Sequence, residues 1–152
     1  EVVAREKERS RRTGKPFTLA YFDLDNFKSL NDTEGHSAGD DLLRTITSEI
    51  KGVISSRDVL ARLGGDEFII LFPETGLEEA KKVVQKLNGE LLKTMNRRKW
   101  PVTLSMGVIP VGDPTLETNL VMKMVDDLMY KAKKAGKNRI EFLSVDDGNT
   151  HE

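Results

Sequence analysis

Acidic residues stand at the ends of apolar segments at two places in this chain, and together they could hold a metal ion. Asp23 and Asp25 appear where the apolar run of residues 17–24 ends. Asp66 follows two glycines, between two further apolar runs. Mg²⁺ takes oxygen ligands, and a pair of carboxylates leaves coordination positions open for phosphate oxygens. The residue types therefore allow a Mg²⁺ site that includes Asp23 and Asp66, if the fold brings them together.

The same residues also have an ordinary structural explanation. Gly-Gly-Asp is a frequent turn sequence, and acidic residues are common in the loops that follow strands. The pattern alone leaves two interpretations of Asp66 open, a turn residue and a metal ligand.

The strands that must position these acids can be predicted from the hydrophobic pattern. Residues 17–24 are almost wholly apolar, which is typical of a strand buried on both faces. Residues 58–63 and 67–72 flank the Gly-Gly-Asp sequence and predict a hairpin. Residues 102–109 and 139–143 predict two further strands.

Three stretches with apolar residues at helical spacing predict the helices between these strands. The first is expected to start with Ser37 as its N-cap and Asp40 three residues later, a capping-box pattern. The second repeats that pattern with Thr75 and Glu78. The third has its apolar positions within residues 120–129.

The predicted order of elements is β-α-β-β-α-β followed by α-β. The first six elements match a ferredoxin-like arrangement, so we expect an α+β fold with a central, mainly antiparallel sheet and flanking helices. In such a sheet the first strand lies beside the central hairpin. Asp23 and Asp66 are therefore expected to approach each other.

The length of 152 residues suits one domain, predicted over residues 15–144. Residues 1–14 are expected to be the exposed end of an upstream helix, and residues 145–152 a disordered tail.

The net charge of −1 argues against nucleic-acid binding, and the absence of cysteine excludes disulfides and thiolate metal sites. No apolar run is long enough to span a bilayer, so we expect no direct membrane contact and a cytoplasmic location.

Five motifs, in order along the chain, resemble those of the GGDEF family of diguanylate cyclases. Residues 64–68 spell Gly-Gly-Asp-Glu-Phe. Residues 22–28 (FDLDNFK) resemble the metal-strand motif of the family, and residues 31–40 (NDTEGHSAGD) resemble its nucleotide-binding motif. Residues 103–108 and 132–138 fit two later blocks.

The resemblance covers about residues 15–143 and implies a nucleotidyl-cyclase palm with a defined reaction. Two GTP molecules condense to cyclic di-GMP with release of two pyrophosphates. The family implies two Mg²⁺ ions per GTP, with Mn²⁺ as a possible substitute, and a homodimer that closes around the product. It also implies an N-terminal sensory or regulatory domain outside this chain, and it makes the helix of residues 1–14 the end of an upstream signalling helix.

The resemblance assigns metal ligands and catalytic residues. The ligands are Asp23, the backbone carbonyl of Leu24, and Asp66. The family gives the proton-acceptor role for the 3′-hydroxyl to the position of Asp66, and Glu67 remains a rival. A metal-bound carboxylate is a weak base, so the metal is expected to do most to activate the hydroxyl. Lys28, directly after the metal strand, is assigned to the phosphates.

The resemblance also assigns the substrate-binding residues. Asn31 and Asp40 fall where the family recognises guanine, which suits their chemistry because a carboxylate can accept two parallel N–H bonds from the base. Phe27 and His36 fall beside the substrate. Without the resemblance, Asp40 would be a helix cap and Asn31 a turn residue.

Lys133 and Lys137 fall where the family contacts phosphates. Lysines near the C-terminus of a helix also complement its dipole while remaining in water. Both interpretations stay open for these two residues.

Three other functions compete with a GTP-specific cyclase. A related cyclase that makes a mixed adenine–guanine product typically carries Ser at the position of Asp40, so Asp40 favours GTP alone. A non-catalytic GTP-binding regulatory module usually has a damaged signature, whereas this chain keeps Asp23, Asp66 and Glu67. A product-binding effector would need an intact inhibitory site.

The inhibitory product site of the family, an Arg-x-x-Asp sequence, is degenerate here. Its two positions hold Ser55 and Asp58, Arg57 is displaced by two residues, and Lys86 stands where a partner arginine is common. Lysine lacks the planar fork that stacks on guanine and binds it in two places. We therefore predict weak or absent product inhibition, and calorimetry with cyclic di-GMP tests it. Submicromolar binding outside the active site would contradict the prediction.

Overall fold

Alternating side chains of the first strand, β1 (Phe17–Asp25), are buried on both faces of a sheet in the computed structural model, which describes residues 1–143. Phe22 and Leu24 pack into one apolar cluster, and Leu19 and Tyr21 pack into another on the opposite face. A strand with two buried faces must be central, as its continuous apolar run predicts.

The helices and strands follow the predicted order, with one extra helix after β1. They are α1 (Val2–Thr13), β1, α2 (Phe27–Glu34), α3 (His36–Val53), β2 (Val59–Gly64), β3 (Glu67–Phe72), α4 (Leu77–Arg98), β4 (Thr103–Val111), α5 (Thr118–Lys134) and β5 (Arg139–Phe142).

Within residues 1–143, five strands form one sheet in the order β2-β3-β1-β4-β5. Strand β1 pairs antiparallel with both β3 and β4, and β2 pairs antiparallel with β3. The last strand, β5, runs parallel to β4, so the sheet is mixed. The predicted α+β fold with a mainly antiparallel sheet is confirmed.

Helices cover both faces of the sheet. The cluster that contains Phe22 also contains apolar residues of α2, α3 and α4. The opposite cluster contains Val3 of α1 and Val121 and Val125 of α5. The prediction that the N-terminal helix is exposed is therefore wrong on one side, because Val3 packs against the sheet and is only 3% exposed.

The connection after β1 is helical, which corrects the start predicted for the next helix. Helix α2 occupies most of this connection, and Gly35 then turns the chain with φ 92° and ψ 164°. Helix α3 consequently starts at His36 with Gly35 as its N-cap, and no side chain caps it. The predicted capping box of Ser37 and Asp40 is wrong, because both residues lie inside the helix.

The cap predicted for the following helix is also wrong. Helix α4 starts after Gly76, again without a side-chain cap. The hydroxyl of Thr75 is buried and donates instead to the Pro73 carbonyl at 2.7 Å. The Thr75 carbonyl accepts a hydrogen bond from the Thr18 hydroxyl at 2.8 Å, which ties this turn to β1.

None of the helices in residues 1–143 has the length and apolar character needed to cross a membrane. The predicted disordered tail, residues 145–152, lies outside the described part of the chain.

Gly107 lets the backbone of α5 lie directly against β4. A Cβ atom at this position would lie 2.6 Å from both the Met129 nitrogen and the Val125 oxygen, and 2.7 Å from Leu128 Cβ. Two of these atoms belong to the helix backbone, which cannot move aside alone. Any larger residue at position 107 must therefore displace α5 from the sheet.

We predict that Gly107→Ala lowers the free energy of unfolding by about 1–3 kcal/mol, the usual cost of overpacking. Gly112→Ala is the matched control, because a Cβ atom at Gly112 meets nothing within 4 Å. A compatible Gly→Ala change is neutral or raises stability by up to about 1 kcal/mol. Urea denaturation of both variants measures the difference, and equal stabilities would contradict the predicted clash.

Candidate functional site

The end of β1 and the β2–β3 hairpin meet at one edge of the sheet. Asp23 pairs with Glu67 across the two strands, and the Leu24 N–H donates to the Asp66 carbonyl at 3.1 Å. The N–H and C=O of a strand residue point to the same side, so the Leu24 carbonyl also faces the hairpin. The sheet thus brings together the three residues expected to hold a metal.

The hairpin turn is tight. Gly64 pairs with Glu67, and Gly65 has φ 37°, in the left-handed region that favours glycine. The Arg62 side chain donates to the Gly65 carbonyl at 2.9 Å and braces the turn. Asp66 is half-buried at its tip.

Within the described residues, Asp23 carries one carboxylate oxygen without a hydrogen-bond partner. Its Oδ1 is buried and accepts no hydrogen bond within residues 1–143, while its Oδ2 lies 3.2 Å from Lys133 Nζ. Burial, first, and the neighbouring Asp66 carboxyl together raise the pKa of Asp23 to about 7, although Lys133 acts in the opposite direction. A cation would relieve both the unpaired oxygen and the repulsion between the carboxyls.

These donors fit a Mg²⁺ ion that shares its coordination with phosphate. They are hard oxygens from Asp23, Asp66 and the Leu24 carbonyl, as Mg²⁺ requires. Residues 1–143 contain no cluster of three or more Asp, Glu, His or Cys side chains placed to hold a metal. Two carboxylates and a carbonyl leave several positions to other ligands, which is typical of nucleotide-dependent Mg²⁺ sites.

Glu67 lies on the same face of the sheet as Asp23, because residues opposite each other on neighbouring strands point the same way. Burial, and then the Glu67 carboxylate, raise the pKa of Tyr21 to about 12. Asp66 and Glu67 therefore both border the same site, and the choice between them as proton acceptor stays open.

A second acid, Asp25, is buried beneath this site and accepts four hydrogen bonds. It is 1% exposed. Its donors are the hydroxyls of Thr103 at 2.6 Å and Ser105 at 2.7 Å, the Asn138 N–H at 3.1 Å and Lys133 Nζ at 3.2 Å. Burial alone would raise the pKa of Asp25, but these bonds outweigh it and lower the pKa.

The sequence interpretation missed this network, although β4 carries a signal for it. Thr103 and Ser105 are two residues apart in an otherwise apolar strand, so their hydroxyls point to one face. Two such polar residues beside a buried strand indicate a buried acceptor that needs donors.

Lys133 bridges the two acids of β1. Its Nζ lies 3.2 Å from Asp23 Oδ2 and 3.2 Å from Asp25 Oδ1, and its side chain is 25% exposed. Burial lowers the pKa of Lys133, but the two carboxylates outweigh this effect and raise it. Lys133 therefore does not merely extend into water at the helix end. Lys137 is exposed, in the turn after α5.

The residues of the nucleotide-binding motif lie on α2 and α3. Asn31 is half-buried, and its Oδ1 has no hydrogen-bond partner within the described chain. Asp40 and His36 are exposed in the first turns of α3. Lys28 is exposed at the start of α2, whereas the Phe27 side chain packs into the core and is 8% exposed. The Phe27 ring is thus the one predicted substrate contact that the structure buries in the core.

The residues at the degenerate product site are engaged within their own loop. The Ser55 N–H donates to Asp58 Oδ2 at 2.8 Å, and the Arg57 N–H donates to the Ser55 hydroxyl at 3.3 Å. The Arg57 guanidinium lies 4.0 Å from Glu74. Lys86 is exposed on α4.

Comparison with known proteins identifies the family of this chain. The sequence profile described as "Diguanylate cyclase, GGDEF domain" matches residues 1–139. This chain belongs to the GGDEF family. The GGDEF domain is 33% identical over 145 residues to the diguanylate cyclase DosC of Escherichia coli, a match that covers 92% of the domain and 31% of DosC. The chain therefore spans about a third of the length of that relative.

Solved structures share the fold of this GGDEF domain. The diguanylate cyclase SiaD of Pseudomonas aeruginosa, in complex with its activator SiaC, is 31% identical with a TM-score of 0.85, over 93% of the domain and 55% of SiaD. The GGDEF domain of DgcB from Caulobacter crescentus, in complex with c-di-GMP, is 27% identical with a TM-score of 0.81, over 93% and 85% of the two chains.

We predict that Asp25→Asn lowers the free energy of unfolding by about 2–3 kcal/mol, because the change removes a buried charge and leaves donors without an equivalent acceptor. Asp127→Asn on α5 is the matched control. Asp127 pairs with Lys123 at 3.0 Å, but its side chain is 65% exposed. Exposed pairs of this kind contribute less than about 1 kcal/mol. Urea denaturation compares the two variants, and losses of equal size would argue against the buried network.

Proposed function

We propose that this GGDEF domain condenses two GTP molecules into cyclic di-GMP and two pyrophosphates. In each half-reaction the 3′-hydroxyl of one GTP attacks the α-phosphorus of the other. The bond from that phosphorus to the bridging oxygen breaks, pyrophosphate leaves, and the hydroxyl proton passes to an acceptor. The substrate GTP also favours the cytoplasmic location that the sequence predicts, because nucleoside triphosphates are held there.

One observation carries this proposal: the unpaired Oδ1 of Asp23 beside Asp66, with Lys133 on its other side. A folded chain rarely leaves a buried carboxylate oxygen without a partner, because the cost in stability is substantial. Its presence where two carboxyls repel each other is the arrangement expected of a cation site. Membership of a family described as diguanylate cyclases supports the choice of this reaction.

We propose that Asp23, Asp66 and the Leu24 carbonyl hold Mg²⁺, two ions per GTP, with Mn²⁺ as a possible substitute. Bound there, Mg²⁺ supplies Lewis acidity that acidifies the attacking hydroxyl and neutralises charge on the departing pyrophosphate. Glu67 or Asp66 then accepts the proton. Either carboxylate borders the site, so neither assignment requires a change in the fold.

The positively charged residues of the site supply the phosphate contacts. Lys133 lies against the acids of β1, and we propose that it exchanges one of these contacts for a phosphate oxygen. Lys28 is exposed at the start of α2, and Lys137 is exposed in the turn after α5. We propose that Lys28 stabilises charge on the phosphates during transfer, and that the other two lysines bind the triphosphate.

Asn31 and Asp40 are proposed to bind guanine, with His36 beside the substrate. The exposed Asp40 carboxylate suits the N1–H and N2–H₂ donors of the base. The structure also removes a competing role for Asp40, since the helix is capped at Gly35 instead.

Catalysis requires two copies of the domain, because each holds one GTP. We therefore propose a homodimer, with the two sites facing each other around the product. The diguanylate cyclase DosC is about three times longer than the match, so we further propose a sensory or regulatory domain upstream. SiaD, which is solved with its activator SiaC, is an example of a relative with a protein partner.

A non-catalytic GTP-binding regulatory module is the second candidate function. It is compatible with the same fold and the same guanine site. The intact Asp23, Asp66 and Glu67 favour catalysis, because a module that only binds GTP has no need for a carboxylate pair at this position.

A turnover assay on this domain, dimerised through a fused helix, separates the two functions. We predict pyrophosphate and cyclic di-GMP from GTP only when Mg²⁺ or Mn²⁺ is present, and no adenine-containing product when ATP is added. Asp66→Asn should lower the rate at least about 100-fold, since it removes a metal ligand and a candidate proton acceptor.

The control for this assay is Asp127→Asn, whose exposed carboxylate pairs with Lys123 on α5 and should leave the rate unchanged. If a demonstrably dimeric protein binds GTP but releases no pyrophosphate, the regulatory module is the correct function.

A further inference from the structure

Gly39 is the fourth residue of α3, and its Cα faces the Asn31 side chain on α2. A Cβ atom at position 39 would lie 1.8 Å from Asn31 Oδ1 and 2.9 Å from its Cγ. Gly39 is buried and helical, and it is not among the residues with positive φ. The backbone therefore does not require glycine here, but the Asn31 amide does require the space.

The amide that fills this space gains no internal hydrogen bond through Oδ1. That oxygen is buried and without a partner in residues 1–143. Rotation toward solvent would give it water as a partner, because Asn31 is only half-buried. We call the space beside the Gly39 Cα the slot. The Asn31 amide in this slot has a position that folding stability alone does not favour.

The slot also sets the position of the amide relative to Asp40. Asp40 directly follows Gly39, and its carboxylate is exposed. The positions of both proposed guanine-binding side chains therefore depend on the same part of α3. Asp40 belongs to that helix, and the Asn31 amide occupies the space beside Gly39.

We propose that Gly39 is a positioning residue of the guanine site. Because it has no side chain, it leaves the space in which the Asn31 amide lies beside Asp40. The inference rests on the proposed function, since it assigns the slot to guanine recognition. It adds a residue that does not itself touch the base and acts only through Asn31.

The proposal predicts that a methyl group at position 39 weakens nucleotide binding without lowering the stability of the fold. Contacts of a Cβ atom under 3.0 Å are essentially never tolerated, so the Asn31 amide must retreat. A misplacement of about 1 Å in a binding group is enough for a large loss of recognition. Alanine also forms helix better than glycine, so the variant should melt at the wild-type temperature or up to about 3 °C above it.

The experiment compares Gly39→Ala with Gly52→Ala in the full chain. Gly52 lies in the same helix, and a Cβ atom there meets nothing within 4 Å. The probe is the α,β-methylene analogue of GTP, which cannot release pyrophosphate, titrated by calorimetry with Mg²⁺. Gly39→Ala should weaken binding at least about tenfold, equivalent to one lost hydrogen bond, while Gly52→Ala binds as the wild type.

A double-mutant cycle tests whether the effect passes through Asn31. In an Asn31→Ala background there is no amide to displace, so Gly39→Ala should cause no further loss of affinity. An equal loss in both backgrounds would overturn the proposal, because the new methyl group would then act on the nucleotide directly. Loss of cooperative unfolding in Gly39→Ala would also overturn it, since Gly39 would then be required for folding.

The side-chain amide resonances of Asn31, identified by their absence in Asn31→Ala, provide a measurement that needs no nucleotide. They should shift in Gly39→Ala and not in Gly52→Ala. Unshifted resonances overturn the positioning role whether or not GTP binds. If the resonances shift but the wild type binds no guanine nucleotide, the proposed function has failed, and the assignment of the slot to guanine fails with it.

Discussion

The carboxylate of Asp25, buried at the end of the central strand, is the constraint on which the site end of this fold depends. A charge with 1% exposure must be surrounded by donors, because burial without them is prohibitive. The donors come from β4, from Lys133 on α5 and from the turn at Asn138. One buried charge therefore ties two neighbouring strands, a helix and a turn together, and it brings Lys133 against Asp23.

Two of the three buried side-chain oxygens that lack a partner in residues 1–143 belong to residues of the proposed site. These are the Oδ1 atoms of Asp23 and Asn31. The third, on Asn88, lies on α4. Asp25 accepts four hydrogen bonds, whereas Asp23, two residues away, has one buried oxygen without a partner in the described chain. This contrast distinguishes a carboxylate that supports the fold from one available to a ligand.

Most of the fold could be predicted from the sequence, because the spacing of apolar residues indicates which face of each helix or strand is buried. The apolar run of β1, the Gly-Gly-Asp turn and the helical stripes all predicted their elements. Helix α2 was missed because only Phe27 and Leu30 are buried in its eight residues, too few to show a period. The predicted caps at Ser37 and Thr75 are wrong because glycines occupy both N-cap positions, and glycine has no side chain to act as a cap.

The site was predictable only in part, for a different physical reason. The meeting of Asp23 with Asp66 follows from strand order, which the pattern of elements implies. The partners of Asp25 lie 78 to 113 residues away, and no local pattern pairs them. The slot between Gly39 and Asn31 likewise depends on how two helices pack, which neither residue type reveals alone.

The close approach at Gly107 has a consequence for how such a domain can diverge. At Gly107 the spacing between α5 and β4 is set by backbone atoms of the helix rather than by a side chain of the strand. Apolar residues elsewhere in that layer can then change over evolutionary time without altering the reach of Lys133 toward the β1 acids. This GGDEF domain is 31% identical to SiaD and superposes on it with a TM-score of 0.85.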